Sequence, residues 1–147
     1  MTIGWHFDNT YSKLSNTFKE EVKPTPVHNP ELVVLNDQLA KDLNLDFSKI
    51  EKKDLSQIFS GNTLPKGSAT IAQAYAGHQF GHFTMLGDGR AVLLGEHLVN
   101  NTTRFDIQFK GSGRTSFSRS GDGRAVLGPM LRAVSYTHLT LPTTDRV

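Results

Sequence analysis

The pattern of apolar and polar residues predicts two neighbouring strands in the second half of the chain. Residues 90–98 contain a central apolar run, and residues 103–110 place apolar side chains at alternate positions. The alternating apolar residues are Phe105, Ile107 and Phe109. Because the link over residues 99–102 is short and polar, we expect the two strands to form an antiparallel pair.

Two short helices and one further strand are predicted upstream. Asn36 fits the N-cap of a helix that runs to Leu45, whose apolar residues recur at helical spacing. A second helix is predicted over residues 51–59, ended by a glycine–asparagine pair. The apolar run at residues 31–35 is predicted to be a strand. Residues 1–28 mix aromatic side chains with polar residues and prolines, which predicts an extended lead-in that packs its aromatic rings on the rest of the fold.

The composition is that of an ordinary globular chain. Of 147 residues, 37% are hydrophobic and 20% are charged, and 16 basic against 14 acidic residues give a net charge of only +2. This small imbalance predicts no nucleic-acid partner. The absence of cysteine excludes disulfides and thiolate metal sites from these residues. No secretory signal, transit peptide or long apolar run is present, so a cytoplasmic protein outside the membrane is expected.

Glycine is concentrated in one region together with residues that bind anions. Ten of the 13 glycines lie within residues 77–128, interleaved with histidine, arginine, lysine and aspartate. The sequence Gly-Asp-Gly-Arg-Ala-Val-Leu occurs at residues 87–93 and again at residues 121–127. Two copies with different flanks do not indicate a solenoid, and we infer that the same backbone turn is used twice. Glycine allows positive φ and close approach of the main chain to a ligand, while arginine and lysine bind phosphate oxygens.

These groups are predicted to come from neighbouring turns. The first Gly-Asp-Gly turn (residues 87–90) precedes one predicted strand, and Lys110 ends the next. A glycine turn, a strand, a hairpin and a strand bearing lysine follow one another in the small lobe of protein kinases. The kinase glycine signature and the P-loop pattern are both absent. The residues alone therefore predict a phosphate or nucleotide site, with ordinary tight turns and surface arginines as the alternative.

His78 and His82 are four residues apart, a spacing that would suit metal ligands on a helix. The glycines at positions 77 and 81 disfavour a helix there, and no third ligand is evident. We therefore predict no metal site at this position and expect structural hydrogen bonding by the histidines.

Four longer motifs lie at Ala72–Gly81, Leu86–Arg90, Phe109–Gly113 and Ser118–Leu127. They resemble the motifs of one known family, the selenoprotein O (SelO) protein adenylyltransferases. The resemblance extends from about residue 5 to Arg132.

The resemblance implies an α+β, protein-kinase-like fold that binds ATP in a flipped orientation. Such enzymes transfer AMP to Ser, Thr or Tyr hydroxyls of protein substrates and release pyrophosphate, with Mg²⁺ or Mn²⁺ expected in the full-length protein. Residues 1–65 would form an N-terminal extension with short helices. Residues 66–132 would form the nucleotide-binding region of the small lobe, built on an antiparallel sheet.

Carried over position by position, the resemblance assigns nucleotide binding to six residues. They are Gly87, Gly89, Arg90, Lys110, Asp122 and Gly123. Those of the first Gly-Asp-Gly turn would hold the phosphates, and Lys110 would be the small-lobe lysine. The two residues of the second Gly-Asp-Gly turn (residues 121–124) would contact the nucleotide from another side.

The last residues depart from the family pattern. Family members continue after the equivalent of Arg132 with a helix that begins in glutamate, the partner of the strand lysine, whereas this chain has Ala133. Residues 133–147 contain β-branched residues and Pro142, so they are expected to be a tail foreign to the family. The large lobe, the catalytic aspartate and the metal ligands are expected beyond the C-terminus. The chain alone is therefore expected to be inactive.

Three alternatives stay open at the level of sequence. The same scaffold could transfer UMP from UTP or act as an ordinary kinase, because nothing in these residues reads the base. It could instead be a non-catalytic pseudokinase scaffold that binds a nucleotide. It could also be a fragment that does not fold stably without its partner lobe. The sequence predicts no oligomeric state.

Overall fold

The computed structural model describes residues 3–79 and 81–132. Its strands and helices follow in the order β1 (Lys19–Glu21), α1 (Asp37–Asp42), α2 (Lys52–Phe59), β2 (Ile71–Gln79), β3 (His82–Gly87), β4 (Ala91–Leu98) and β5 (Arg104–Lys110). Short 3₁₀ turns cover Tyr11–Lys13 and Ser116–Ser118. The chain becomes helical again over residues 127–132.

The strands of the described residues form one five-stranded antiparallel sheet. Its main order is β1-β2-β4-β5, and β3 pairs with the outer part of β2. The inner part of β2 pairs with β1, with Gln73 opposite Lys19, and Ile71 lies opposite Leu93 of β4. The predicted α+β class with an antiparallel sheet is therefore confirmed. Because β1 comes from the segment before residue 65, both segments of the chain contribute to this sheet.

The predicted antiparallel pair of the second half is confirmed as β4 and β5. Their register runs from Leu98 opposite Arg104 to Ala91 opposite Lys110, with a bulge between Leu93 and Gly95. Residues 92–97 of β4 are all buried, and the first three of them, Val92, Leu93 and Leu94, form the apolar run of the sequence. The pair fixes which residues meet at the end of the sheet where β4 begins.

Both predicted helices exist, with one boundary shifted. The side chain of Asn36 accepts a hydrogen bond from the N–H of Leu39, so the predicted N-cap is confirmed. Helix α1 ends at Asp42 and not at Leu45, because Asn44 adopts a φ of 55° and closes a Schellman motif. In this motif the N–H of Leu45 donates to the carbonyl of Ala40 across 2.8 Å. Helix α2 agrees with its predicted range.

The strand predicted over residues 31–35 is wrong, since these residues form no ladder. Leu32 and Leu35 are half-buried and pack on the cluster formed by α1, α2 and the residues between them. Their apolar pattern therefore reflects packing against helices and not pairing in a sheet. The buried members of that cluster are Ala40, Leu43, Leu45, Phe47 and Leu55.

The aromatic lead-in packs on the sheet as expected. Trp5 stacks on Phe7 with ring centroids 5.5 Å apart, and both rings contact the buried imidazole of His97. Nδ1 of His97 accepts the N–H of His6 across 3.1 Å, and Nε2 lies 2.8 Å from the carbonyl oxygen of Leu43. One β4 side chain thus connects the N-terminal segment, the sheet and the end of α1.

Among the described helices, none combines the length and apolar character needed to cross a bilayer.

Candidate functional site

A cavity of about 530 Å³ opens where β4 begins and β5 ends. Cationic, acidic and aromatic side chains line it together with the backbone of Gly89 and Ala91. The side chains that supply functional groups are Tyr75, Asp88, Arg90, Gln108, Lys110 and Arg119. With three cations around one carboxylate, this cavity favours an anionic ligand.

The strand register explains why Arg90 and Lys110 meet in this cavity. Lys110 lies opposite Ala91 across the β4–β5 ladder, so Arg90 is its neighbour at the strand end. The N–H of Gly111 also donates to the carbonyl of Arg90 across 2.6 Å. The predicted proximity of Arg90 and Lys110 is therefore observed. Their binding of a nucleotide stays a prediction.

The first Gly-Asp-Gly turn connects β3 to β4 and is fastened to β2. The N–H of Asp88 donates to the carbonyl of Gln73 across 2.9 Å, and Oδ2 of Asp88 accepts the N–H of Gln73 across 3.0 Å. Burial raises the pKa of the Asp88 carboxyl above its ordinary value, and the hydrogen bond from Gln73 opposes this effect. Asp88 is thus held in place by backbone contacts at the edge of the cationic cavity.

The two glycines of this turn are needed for close packing and not for a positive φ. Neither Gly87 nor Gly89 lies in the left-handed region. A Cβ on Gly87 would collide with the ring of Phe117, and one on Gly89 would come within 2.8 Å of the carbonyl oxygen of Phe117. Gly89 lines the cationic cavity, whereas Gly87 lines a neighbouring cavity of about 390 Å³ beside Phe117.

The loop of residues 115–119, here called the Arg119 loop, rests on this turn. The hydroxyl of Thr115 donates to the carbonyl of Asp88, and that of Ser118 donates to the carbonyl of Gly89, each across 2.6 Å. Arg119 follows directly and lines both cavities, as does Tyr75 of β2. Sequence reasoning assigned no site role to Arg119 or Tyr75. The polar residues at positions 115 and 118 signal a capped turn, but a positive φ at an arginine leaves no sequence signal.

The second Gly-Asp-Gly turn is built differently from the first. Oδ1 of Asp122 accepts the N–H of Arg124 across 2.8 Å, and Gly123 has a φ of 69°. A Cβ on Gly123 would collide with the carbonyl of Gly113, whose N–H donates to Gly123 across 3.2 Å. Within the described chain, Asp122 and Gly123 line neither of the two cavities. Their predicted contact with the nucleotide stays untested.

The inference that the same backbone turn is used twice is wrong. The first copy of the seven-residue sequence continues into β4, whereas the second continues into the helical residues 127–132. Only the second copy contains a glycine with a left-handed φ. Identical residues adopt different structures here because their tertiary contacts differ, with Phe117 packed on the first copy and Gly113 on the second.

His78 and His82 lie on opposite strands at the tip of the β2–β3 hairpin. His78 pairs with Phe83, and His82 pairs with Gln79. The helical spacing that would have suited a metal is therefore absent. Across residues 3–79 and 81–132, no group of three His, Asp or Glu side chains is placed to hold an ion.

One known protein family matches almost the whole chain. The family model described as protein adenylyltransferase SelO matches residues 2–143. The chain belongs to the SelO family. The SelO match includes residues 133–143, which sequence analysis assigned to a foreign tail and which lie outside the described residues.

Several SelO relatives are named protein nucleotidyltransferase YdiU. The protein from Pelagibacter ubique is 69% identical over 148 residues, which cover 98% of this chain and 31% of that protein. Those from Nitrosococcus oceani and Halalkalibacterium halodurans are 57% and 55% identical, each over 97% of this chain and 30% of their own length. The chain thus spans about a third of the length of the SelO relatives that it matches.

Proposed function

We propose that this chain is the ATP-binding part of a protein adenylyltransferase with a protein-kinase-like fold. The observation that carries the proposal is the meeting of Arg90 and Lys110 in one cationic cavity, in a chain of the SelO family. The full-length enzyme would transfer AMP from ATP to Ser, Thr or Tyr hydroxyls of protein substrates and would act in the cytoplasm. Gly87, Gly89, Asp122 and Gly123 are proposed as further nucleotide contacts.

The proposed reaction requires positively charged groups near the phosphates. A hydroxyl oxygen of the protein substrate bonds to the α-phosphorus and gives up its proton to a base, which is expected in the rest of the full-length enzyme. The bond from that phosphorus to the oxygen that bridges it to the β-phosphorus breaks, and pyrophosphate leaves with the electron pair. The guanidinium of Arg90 and the ammonium of Lys110 would neutralise charge on the triphosphate as it redistributes. The β4–β5 ladder holds the backbone of both residues at neighbouring strand ends, so only their side chains need to adjust when the nucleotide binds.

A divalent ion is expected to accompany the nucleotide in the full-length protein. The described residues do not fit it, because they offer no cluster of three carboxylate or imidazole ligands. Asp88 is the carboxylate that lines the cavity, and its Oδ2 already accepts the N–H of Gln73. We therefore assign phosphate binding, and not metal binding, to this part of the protein.

UMP transfer from UTP is the second candidate. The names of the relatives specify nucleotidyl transfer and not adenylyl transfer. Charged groups such as those that line the cavity are suited to phosphates, which ATP and UTP share, and not to a base. The choice between the two nucleotides therefore rests on experiment.

The test uses a full-length version of the protein with ATP or UTP labelled at the α-phosphate. We expect the label from ATP to appear on protein hydroxyls, and Lys110→Met to reduce its transfer by about a hundredfold. Lys53→Met, at an exposed position on α2, is the matched control and should transfer normally. Transfer from UTP alone would replace the first candidate by the second, and transfer from neither would refute both.

The 147-residue chain by itself is proposed to be inactive. It would hold the phosphates from one side, while a kinase-type site closes between two lobes. AMP transfer by the isolated chain at a rate comparable to that of the full-length protein would contradict this part of the proposal.

A further inference from the structure

Arg119 has a backbone conformation that its residue type rarely adopts. Its φ of 54° and ψ of −121° lie in a region that glycine enters without steric cost. The other positive-φ residues with side chains in the described chain are Asn9 and Asn44, and asparagine tolerates the left-handed region. Arg119 is thus the residue of this group that fits its conformation least well.

The Arg119 loop is fixed tightly enough to impose this conformation. Thr115 and Ser118 form a reciprocal capping box, in which each side chain accepts a backbone N–H within the turn. The same two hydroxyls are tied to the first Gly-Asp-Gly turn. After the turn, the carbonyl of Arg119 accepts the guanidinium of Arg114 across 3.1 Å, and the N–H of Gly121 donates to the carbonyl of Ser118 across 2.9 Å.

The backbone conformation of Arg119 places this residue at the proposed nucleotide site. Arg119 lines the same cavity as Arg90 and Lys110, although it comes from a separate loop. It also lines the adjoining cavity, so it stands between the two spaces. Its guanidinium offers a planar set of donors that matches two phosphate oxygens at once.

We propose that Arg119 is a further phosphate-binding residue of the nucleotide site, and that the strained backbone of the Arg119 loop aims it there. The inference rests on the proposed function and adds a residue to it. Strain of this kind persists where surrounding contacts over-determine it, and it is concentrated at ligand-binding positions. Glycine at position 119 would relieve the strain, but it would also remove a cationic side chain from the lining of the cavity.

The proposal predicts opposite effects on stability and on binding, which a structural role would not produce. In the full-length protein, Arg119→Gly should raise the melting temperature, because glycine adopts this φ freely. The same variant should bind ATP and inorganic tripolyphosphate roughly tenfold more weakly or worse, through loss of a charge-assisted contact. Arg119→Lys should keep part of the affinity, since it keeps the charge but not the fork.

Titration calorimetry and thermal melting of the same samples provide both measurements. Ser120→Gly is the matched control, because it loosens the exposed neighbouring position and leaves Arg119 in place. Unchanged affinity of Arg119→Gly for ATP and tripolyphosphate would overturn the inference and leave the proposed function intact. A fall in both melting temperature and affinity, with no recovery in Arg119→Lys, would assign Arg119 to the fold and also overturn it. If the unmodified protein bound neither ligand, the proposed function itself would fail.

Discussion

The hydroxyl of Ser118 donates a hydrogen bond of 2.6 Å to the carbonyl oxygen of Gly89. This contact joins the loop that carries Arg119 to the turn that carries Arg90, across 29 positions of sequence. Thr115 makes the parallel contact to Asp88 one residue earlier in the turn. Two hydroxyls therefore set the spacing between two cationic side chains that no strand pairing connects.

Removal of one hydroxyl should loosen this connection without unfolding the sheet. We expect Ser118→Ala to lower the free energy of unfolding by about 1 kcal/mol, since it also leaves the Thr115 N–H without its capping partner. Affinity for ATP should fall as well, although Ser118 lines neither of the two cavities. Chemical denaturation and calorimetry check the two effects. Ser120→Ala, at an exposed position, serves as the control, and equal behaviour of the two variants would contradict the assigned role.

Gly87 should tolerate no side chain, because the ring of Phe117 occupies the space that a Cβ would need. We expect Gly87→Ala to destabilise the protein by about 1–3 kcal/mol through overpacking. Gly77→Ala on β2 is the matched control, since a Cβ there meets no atom within 4 Å and its φ is not left-handed. Urea denaturation of both variants gives the comparison.

A second substitution separates overpacking from lost backbone freedom at the same position. The double variant Gly87→Ala with Phe117→Leu should recover part of the stability that Gly87→Ala loses, because the smaller side chain makes room. Additive losses in the double-mutant cycle would show that Phe117 is not the cause.

The sequence predicted the parts of the sheet whose apolar pattern and connecting turn lie within one short stretch of chain. The β4–β5 pair shows apolar alternation on one strand and a short polar link, and both features act within 20 or so residues. The β2–β3 hairpin was missed, because three alanines and one glycine along Ile71–Gln79 give neither β-branched enrichment nor a clean alternation. The strand predicted over residues 31–35 failed for the converse reason, since its apolar residues pack on helices.

The part of the site that lies at the ends of neighbouring strands could be predicted from the sequence. Lys110 and Arg90 could be expected to meet because they terminate neighbouring antiparallel strands. The place of Arg119 depends on hydrogen bonds of Thr115 and Ser118 to carbonyl oxygens more than 25 positions away, and side-chain-to-backbone contacts of that kind have no sequence pattern. The different conformations of the two Gly-Asp-Gly turns were unpredictable for the same reason, as the packing of Phe117 and Gly113 decides them.

His97 should be the histidine on which stability depends most. The residue is 1% exposed, and its ring is hydrogen-bonded to backbone at both nitrogens and contacts the rings of Trp5 and Phe7. We expect His97→Ala to lower the free energy of unfolding by about 3 kcal/mol or more, since it leaves a cavity and removes the partner of the buried Leu43 carbonyl and of the His6 N–H. Thermal melting followed by circular dichroism measures the loss. His78→Ala at the exposed hairpin tip should cost almost nothing, and a similar loss in both would refute the assignment.

Asp88 should make stability depend on pH in a direction unusual for an acidic residue. Burial raises the pKa of its carboxyl above the ordinary value of 3.8, so the folded chain holds this proton at a pH where the unfolded chain has released it. The contribution of Asp88 to stability is therefore full below 3.8 and falls as the pH rises through the raised value. At neutral pH the buried charge costs stability, although Oδ2 still accepts the N–H of Gln73.

Asp88→Asn removes that charge and keeps an oxygen able to accept the N–H of Gln73. We expect this variant to melt above the unmodified protein at pH 7, with the difference shrinking as the pH falls through the raised pKa of Asp88, because the folded carboxyl is then neutral. Melting curves at a series of pH values measure the difference. Asp122→Asn reports the effect of the same change on an exposed aspartate that also accepts a backbone N–H. A lower melting temperature of Asp88→Asn at every pH would mean that the charge of Asp88 is favourable in the fold, held by the cations that share its cavity.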